Sequence, residues 1–335
     1  MRQPIALVTH PACAAHDPGA GHPESAARLS GILEAVRADP WLGRDVLVEI
    51  EARPVEPEDL LLAHTPAHVT FVRGLAELAA RSGAAEWIDP DTAVSPRSFL
   101  AALAAAGCAV TAAEEVASGG ASAALALARP PGHHAAQDRA AGFCLFNNVV
   151  VAARRLQADR LAERILIVDW DVHHGDGTQA IVWEDPTIAY LSLHLFPHYP
   201  GTGTVLERGG GEAEGNIANV PLAAGTDARA YRRHYSEALR AVLRRFTPDF
   251  VLVSAGFDSL AGDPLGGLLL EPRDLHGMTV ELQERTGASA DGRVVAVLEG
   301  GYVPERAGLG AADVLRALAG LPAAAAREAG VPAAF

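Results

Sequence analysis

The chain has little cysteine, few aromatics and no excess of positive charge. Its 335 residues hold three cysteines, Cys13, Cys108 and Cys144. None stand in a CxxC pair, which excludes a disulfide framework and a cysteine-built zinc site. Lys and Arg number 27 against 41 Asp and Glu, a net charge of −14. That balance argues against a nucleic-acid partner held by phosphate contacts. It serves solubility first and attraction of cationic substrates second. The opening MRQPIALVTH has an apolar run too short for a secretory h-region. The apolar stretch FLAALAAAGCAVTAA (99–113) is shorter than a membrane span and runs into Glu114 and Glu115. These absences lead us to expect a soluble, cytoplasmic protein with neither a membrane nor a direct nucleic-acid partner.

What is present is a 49% hydrophobic chain with alternating patterns. Short β-rich runs recur at 5–8, 165–169, 187–193, 249–256 and 294–300, most of them continuously apolar. Longer segments with helical spacing lie at 26–39, 66–81, 95–117, 230–246 and 272–287. Continuous apolar strands separated by helices predict an α/β fold with a central parallel sheet covered on both faces. No Pro/Gly/Ser linker divides the chain, so 1–335 reads as one domain. The Gly-rich GTGTVLERGGGEAEG (201–215) lacks a phosphate-cradle context and reads as a surface loop.

In such a sheet, ligands bind beyond the carboxyl ends of the strands. Four predicted strands end in polar clusters. ALALA (124–128) runs into RPPGHHA, ILIVD (165–169) into WDVHHGDG, DFVLVSAG (249–256) into FDSLAGDP, and VVAVLEG (294–300) into GY. An extended chain through Asp169, Asp171 and His173 would send these side chains out on one side. An Asp and a His from this strand end, joined by Asp258 after another buried strand, would make a three-ligand zinc site with one open position. Capping of loops and helices is the alternative use of such residues. His133 and His134 follow Pro130, Pro131 and Gly132, a turn that would present them rigidly beside spare carboxylates. Tyr302, after Gly300 and Gly301, could donate to a carbonyl oxygen gaining charge, or simply pack at a loop.

These motifs together resemble the zinc-dependent histone deacetylase superfamily, which includes acetylpolyamine amidohydrolases and bacterial histone-deacetylase-like amidohydrolases. The resemblance runs through GHPESAARL (21–29), EWIDPDTAVSP (86–96), RPPGHHA (129–135), GFCLFNN (142–148), DWDVHHGDGTQ (169–179), YLSLH (190–194), HYPGTG (198–203), SAGFDSLAGDPLGG (254–267) and LEGGY (298–302). RPPGHHA and LEGGY look like the class II and bacterial branches. The resemblance implies the arginase–deacetylase α/β fold and Zn²⁺, or alternatively Fe²⁺, held by Asp171, His173 and Asp258. It implies His133 and His134 as paired catalytic histidines, backed by Asp169 and Asp176 respectively, and Tyr302 as oxyanion donor. A structural K⁺ is implied at Asp169, Asp171, His173, Ser192 and Leu193. An acyl-lysine channel is implied along Gly142, Phe143, Tyr199, Leu265, Gly300 and Gly301.

The chain departs from the family in two places: Asp176 stands where many class II relatives carry Asn, and Tyr199 where Phe is common. The resemblance implies three readings: deacylation of Nε-acyl-lysine on a protein or peptide, deacetylation of polyamines or other small acylated amines, and a catalytically silent metal-binding homologue. Polyamine-selective relatives tend to carry a carboxylate after GDP. Here Leu265 stands there, favouring acyl-lysine. Self-association is left open. The remaining residues carry plainer expectations: His64 and His68 as surface histidines at a helix start, His10, His16 and His22 in an N-terminal loop bordering the site, Cys144 as a small buried apolar residue, and PAAAAREAGVPAAF (322–335) as a weak helix or frayed end.

Overall fold

The structure, a computed structural model, describes residues 3–324. Most of the Ala-rich tail lies outside the described residues. The strands are β1 (Ile5–Thr9), β2 (Leu47–Glu51), β3 (Glu86–Trp87), β4 (Ala93–Val94), β5 (Ala124–Ala126), β6 (Ile165–Asp169), β7 (Ile188–Leu195), β8 (Ile217–Leu222), β9 (Phe250–Ala255) and β10 (Val294–Leu298). The helices are α1 (Ala27–Arg37), α2 (Pro66–Ser82), α3 (Ser98–Ala117), α4 (Asn148–Ala158), α5 (Asp176–Val182), α6 (Ala228–Leu243), α7 (Pro272–Ala290) and α8 (Pro304–Leu318). Eight strands form one parallel sheet in the order β2-β1-β5-β10-β9-β6-β7-β8, while β3 and β4 make a small antiparallel ribbon. The fold is a single α/β domain, as the alternation predicts.

Every position of β5, β6, β9 and β10 is buried, so helices cover both faces of the centre. Helix α3 packs on β1, β5 and β10 and against α4, while α1, α8, α7 and α6 pack in series. The apolar run 99–113 is part of a longer helix than its own length suggests. At 20 residues, α3 is long and apolar enough to cross a membrane, but 83% of its apolar window is buried inside the protein. It is a core helix packed on the sheet.

The two edge strands escape the apolar-run criterion, because LVEIE in β2 is half acidic and exposed and IANVPL in β8 holds a proline. Proline is tolerated at an edge, where one side of the ladder is unpaired. Helix α4 also escapes, since NVVVAARRLQA opens with a β-branched run. The Asn147 side chain turns it into a helix by accepting the Val150 backbone N–H at 3.2 Å.

The structure corrects the placement of His64 and His68. Both are buried, at 4% and 3% exposure. The Asn147 N–H donates to His64 Nε2 at 2.8 Å, which leaves Nδ1 to donate to the Ala136 carbonyl at 2.8 Å. His68 Nε2 donates to the Leu145 carbonyl at 2.9 Å. The pair therefore ties the loop between β5 and α4 to the N-terminal end of α2, and an i, i+4 spacing cannot by itself tell buried from exposed. Burial pushes His64 down from 6.5 to about 3, and pushes His68 down as well. A histidine kept neutral by folding contributes stability in full above 6.5, lost as pH falls toward the folded value. Each adds at most about 1.4 kcal/mol per pH unit. Denaturant titrations between pH 7 and 4 should show a shallower pH dependence for His64→Gln than for the parent chain. Parallel curves would show that His64 titrates in the fold as it does unfolded.

Candidate active site

The sheet order sets β5, β10, β9 and β6 side by side, so the four polar strand ends meet at one rim. Strand β6 ends at Asp169, and the chain continues buried through His174. Asp171 accepts the His173 N–H through Oδ1 at 2.9 Å and the Gly300 N–H through Oδ2 at 2.8 Å. Asp258, beyond β9, accepts the Val172 N–H through Oδ1 at 2.9 Å, while its buried Oδ2 has no hydrogen-bond partner. His173 Nδ1 lies 2.9 Å from Asp171 Oδ1 and 3.4 Å from Asp258 Oδ2. One ligand atom from each of Asp171, His173 and Asp258 falls within 4.8 Å of the others. A Cβ at Gly300 would collide with the Asp258 carboxylate, so only glycine lets the chain beyond β10 pass this close.

The electrostatics of this cluster call for a cation. Burial and the neighbouring Asp171 raise Asp258 to about 7. Burial opposes charge on His173, yet its contacts with Asp171 and Asp258 and their charges raise it to about 10. Two buried carboxylates, one with a free oxygen, and an imidazole nitrogen fit a divalent ion of zinc type.

The paired histidines sit above this triad, with ring centroids 4.1 Å apart. His133 Nδ1 meets Asp169 Oδ2 at 3.0 Å, and His134 Nδ1 meets Asp176 Oδ1 at 2.7 Å. His133 Nε2 points to Asp171 Oδ1, 3.8 Å away. Asp169 is held further by the Tyr190 hydroxyl at 2.9 Å and the Asp171 N–H at 3.1 Å. Burial lowers both histidines, but Asp171 and Asp169 outweigh it at His133 and raise that group well above 6.5. At His134, burial and the charge of His133 prevail and lower it to about 4. Adjacent groups of one type thus acquire opposite proton affinities.

Aromatic rings stand near the triad and the paired histidines. Tyr199 stands edge-on to His134 at 5.0 Å and to His173 at 6.2 Å, and Phe143 stands edge-on to Tyr302 at 5.8 Å. Gly142 and Phe143 are both left-handed, with φ of 54° and 69°. A side chain at Gly142 would meet the rings of His134 and Tyr199. The Phe143 N–H donates to Thr92 Oγ1 at 3.1 Å, and that hydroxyl donates to Asp89 Oδ2 at 3.0 Å. Tyr302 lies under the Arg28 guanidinium, 5.0 Å from its ring centre, and its N–H donates to Asp263 Oδ2 at 2.6 Å. The Gly301 carbonyl accepts from Arg28 Nε at 2.7 Å. Leu265 joins the ring through its carbonyl, which accepts from His198 Nε2 at 3.1 Å; His198 in turn stacks on His173 at 5.1 Å.

At the residues expected to hold K⁺, the sheet register pairs Asp169 with Ser192. Ser192 Oγ is bonded to His194 Nδ1 at 2.8 Å, and the Leu193 carbonyl accepts the Tyr231 hydroxyl at 3.4 Å. In the N-terminal loop, His22 packs edge-on to Phe143 at 4.8 Å, whereas His16 is buried against Ser98 and Glu24, and His10 caps a short turn through Ala12 N–H. Cys144 is fully buried.

Sequence reading misses a buried ionic frame behind the site. Glu24 Oε1 accepts from Arg129 Nε at 2.7 Å and from Arg28 at 3.1 Å. Glu299 Oε2 accepts the N–H groups of Gly132 and His133 at 2.7 and 3.1 Å, tying the histidine turn to the end of β10. These residues lie inside the quoted motifs, but nothing in a motif distinguishes a frame charge from a reacting one. His198 is missed for the same reason, standing beside the assigned Tyr199.

The histone deacetylase domain family matches residues 22–318. A probable deacetylase of Archaeoglobus fulgidus is 37% identical over 326 residues, 96% of this chain and 88% of its own length. A chloroplastic histone deacetylase 10 of Oryza sativa subsp. japonica is 35% identical over 317 residues, 91% of this chain and 71% of its own. The crystal structure of the HDA15 HD domain superposes with a TM-score of 0.88 at 34% identity, covering 97% of this chain and 90% of that one.

Proposed function

Because the chain belongs to the histone deacetylase family, we propose that it is a zinc-dependent amidohydrolase that removes acyl groups from Nε-acyl-lysine side chains. The observation that carries this reading is the Asp171–His173–Asp258 triad with its unpaired Asp258 oxygen, directly below the two carboxylate-backed histidines. Zn²⁺ bound there would polarise an amide carbonyl and acidify a water molecule; K⁺ is assigned to Asp169, Asp171, His173, Ser192 and Leu193.

The chain's own groups supply the rest. With Nδ1 of each histidine engaged by a carboxylate, Nε2 is the nitrogen left for the reacting atoms. His134, neutral at working pH, takes the proton of the attacking water and returns it to the departing amine nitrogen. The Tyr302 hydroxyl donates to the carbonyl oxygen as it becomes an oxyanion. Phe143 and Tyr199 form the apolar walls that exclude water around an alkyl stem. The products are a carboxylic acid and a free amine.

For the substrate, Leu265 supports acyl-lysine over a polycation. The neighbouring carboxylate, Asp263, is engaged by the backbone N–H groups of Leu265 and Tyr302, at 3.0 and 2.6 Å, rather than presented for an ammonium group. A second reading, a small acylated amine, is favoured by the net charge of −14, which would attract a polycation. The test is a comparison of kcat/KM on zinc-loaded and chelator-treated protein. Substrates would be an acetyl-lysine peptide, a trifluoroacetyl-lysine peptide, N-acetylputrescine and N-acetylspermidine. The chain contains no lysine, so every acyl-lysine in the assay belongs to the substrate. Preference for the peptides is expected; preference for the acetylpolyamines would overturn the acyl-lysine reading.

A further inference from the structure

The two histidine–carboxylate pairs are held in different ways. Asp169, behind His133, is clamped by the buried Tyr190 hydroxyl and the Asp171 N–H. Asp176, behind His134, stands at the first turn of α5, and one of its oxygens faces the opposite direction. That Oδ2 accepts from Arg139 NH2 at 2.8 Å while Oδ1 accepts from His134 Nδ1 at 2.7 Å. Among the described residues, no other side chain donates to Asp176.

Arg139 is placed for this contact by the loop that carries the histidines. The Ala136 N–H donates to the Arg139 carbonyl at 2.8 Å, closing a turn two residues after His134. From there the guanidinium crosses to α5. Its side chain is 55% exposed, whereas that of Asp176 is 11% exposed. Arg139, Asp176, Gln137, Gln179 and Thr202 line a surface cavity of about 600 Å³. A partly buried carboxylate is therefore oriented from one side by the reaction site and from the other by a cation reached from solvent.

We propose that Arg139 is a positioning residue for the deacylation: it anchors the outer oxygen of Asp176, so that the inner oxygen fixes the tautomer and orientation of His134. This inference rests on the amidohydrolase reading. A carboxylate held by one hydrogen bond swings about its Cβ–Cγ bond. Two opposed bonds stop that rotation, and a charged donor makes the stronger kind. Burial raises the Asp176 carboxyl, but His134 and Arg139 hold it at about 2, so it remains an acceptor throughout the neutral range. Arginine suits the position because its planar fork keeps a fixed direction that a lysine ammonium lacks.

Steady-state kinetics of Arg139→Ala, Arg139→Lys and Asp176→Asn on an acetyl-lysine peptide test this, with bound zinc and melting temperature measured for each. Outer partners of site residues typically contribute roughly 10–100-fold, and the exposure of Arg139 places it at the lower end. Arg139→Ala should lose about tenfold in kcat, with KM, zinc content and melting temperature unchanged. Arg139→Lys should fall between Arg139→Ala and the parent. Millimolar guanidinium chloride, entering the cavity, should restore much of the kcat of Arg139→Ala, while sodium chloride at the same concentration should not. In the Asp176→Asn background, Arg139→Ala should cost nothing further. An unchanged kcat, a loss that guanidinium does not rescue, or an equal loss in the Asp176→Asn background would overturn the proposal. A parent chain inactive on every amide would instead refute the proposed function. The Arg139 contact would then be judged by the downfield proton resonance of His134 Nδ1–H, and an unmoved signal in Arg139→Ala would overturn it.

Discussion

Asp258→Asn is expected to raise the melting temperature of the metal-free protein and to abolish its stabilisation by zinc. The two effects have one origin. Asp258 is buried beside Asp171, and the repulsion between them, added to burial, raises it to about 7. An asparagine keeps the shape and can still accept the Val172 N–H through its oxygen, a bond that is 2.9 Å in the parent chain. It removes the like charge, so the metal-free fold gains. The same change points an amide at the position where the free Oδ2 would meet a cation. Zinc at about 1,000 times its dissociation constant should stabilise the parent by about 4 kcal/mol. Asp258→Asn should show almost none of this shift and a matching loss of bound zinc. Lewis-acid stabilisation of several kcal/mol corresponds to a fall in kcat of about 10³ or more. Equilibrium dialysis with zinc, paired with melting curves in zinc and in chelator, checks both halves. Undiminished zinc binding would remove Asp258 from the ligand set.

Tyr302→Phe should lower kcat by about 10²–10³ with little change in KM, the behaviour of a lost oxyanion donor. The ring has its own supports and should stay in place: Arg28 above it at 5.0 Å, Phe143 at its edge at 5.8 Å, and its backbone N–H on Asp263. Burial raises the hydroxyl well above 10; Arg28 opposes this, and Asp258 and Asp171 reinforce it. The phenol therefore keeps its proton at neutral pH and acts as a donor. Because Phe preserves the ring packing, a fall in kcat without a fall in melting temperature isolates the hydroxyl. Unchanged turnover would show that the oxyanion is stabilised without Tyr302.

Much of the fold is legible in the residue pattern because continuous apolar runs such as ILIVD and FVLVSA can only be central parallel strands if the chain is to bury them. The reading fails where that physics does not apply. Half-acidic β2 and proline-bearing β8 sit at edges, where burial is one-sided. The β-branched start of α4 is overruled by an Asn147 cap. His64 and His68 show the same limit, since a pair of hydrogen-bond partners far along the chain takes both inside.

The sequence by itself determined the residue types at the strand ends, the turn before His133 and His134, and the motif order that carries the family resemblance. These depend on local conformation and composition. Only the tertiary structure decided that β5, β10, β9 and β6 are neighbours, and hence that Asp171, His173 and Asp258 meet. It also decided that Glu24 and Glu299 brace the site from behind while Arg139 reaches Asp176 from solvent. The physical reason is that backbone pairing between parallel strands is nearly blind to residue type. Partners such as Arg28 and Gly301 stand 273 residues apart in the chain, and packing brings them together where no local pattern can.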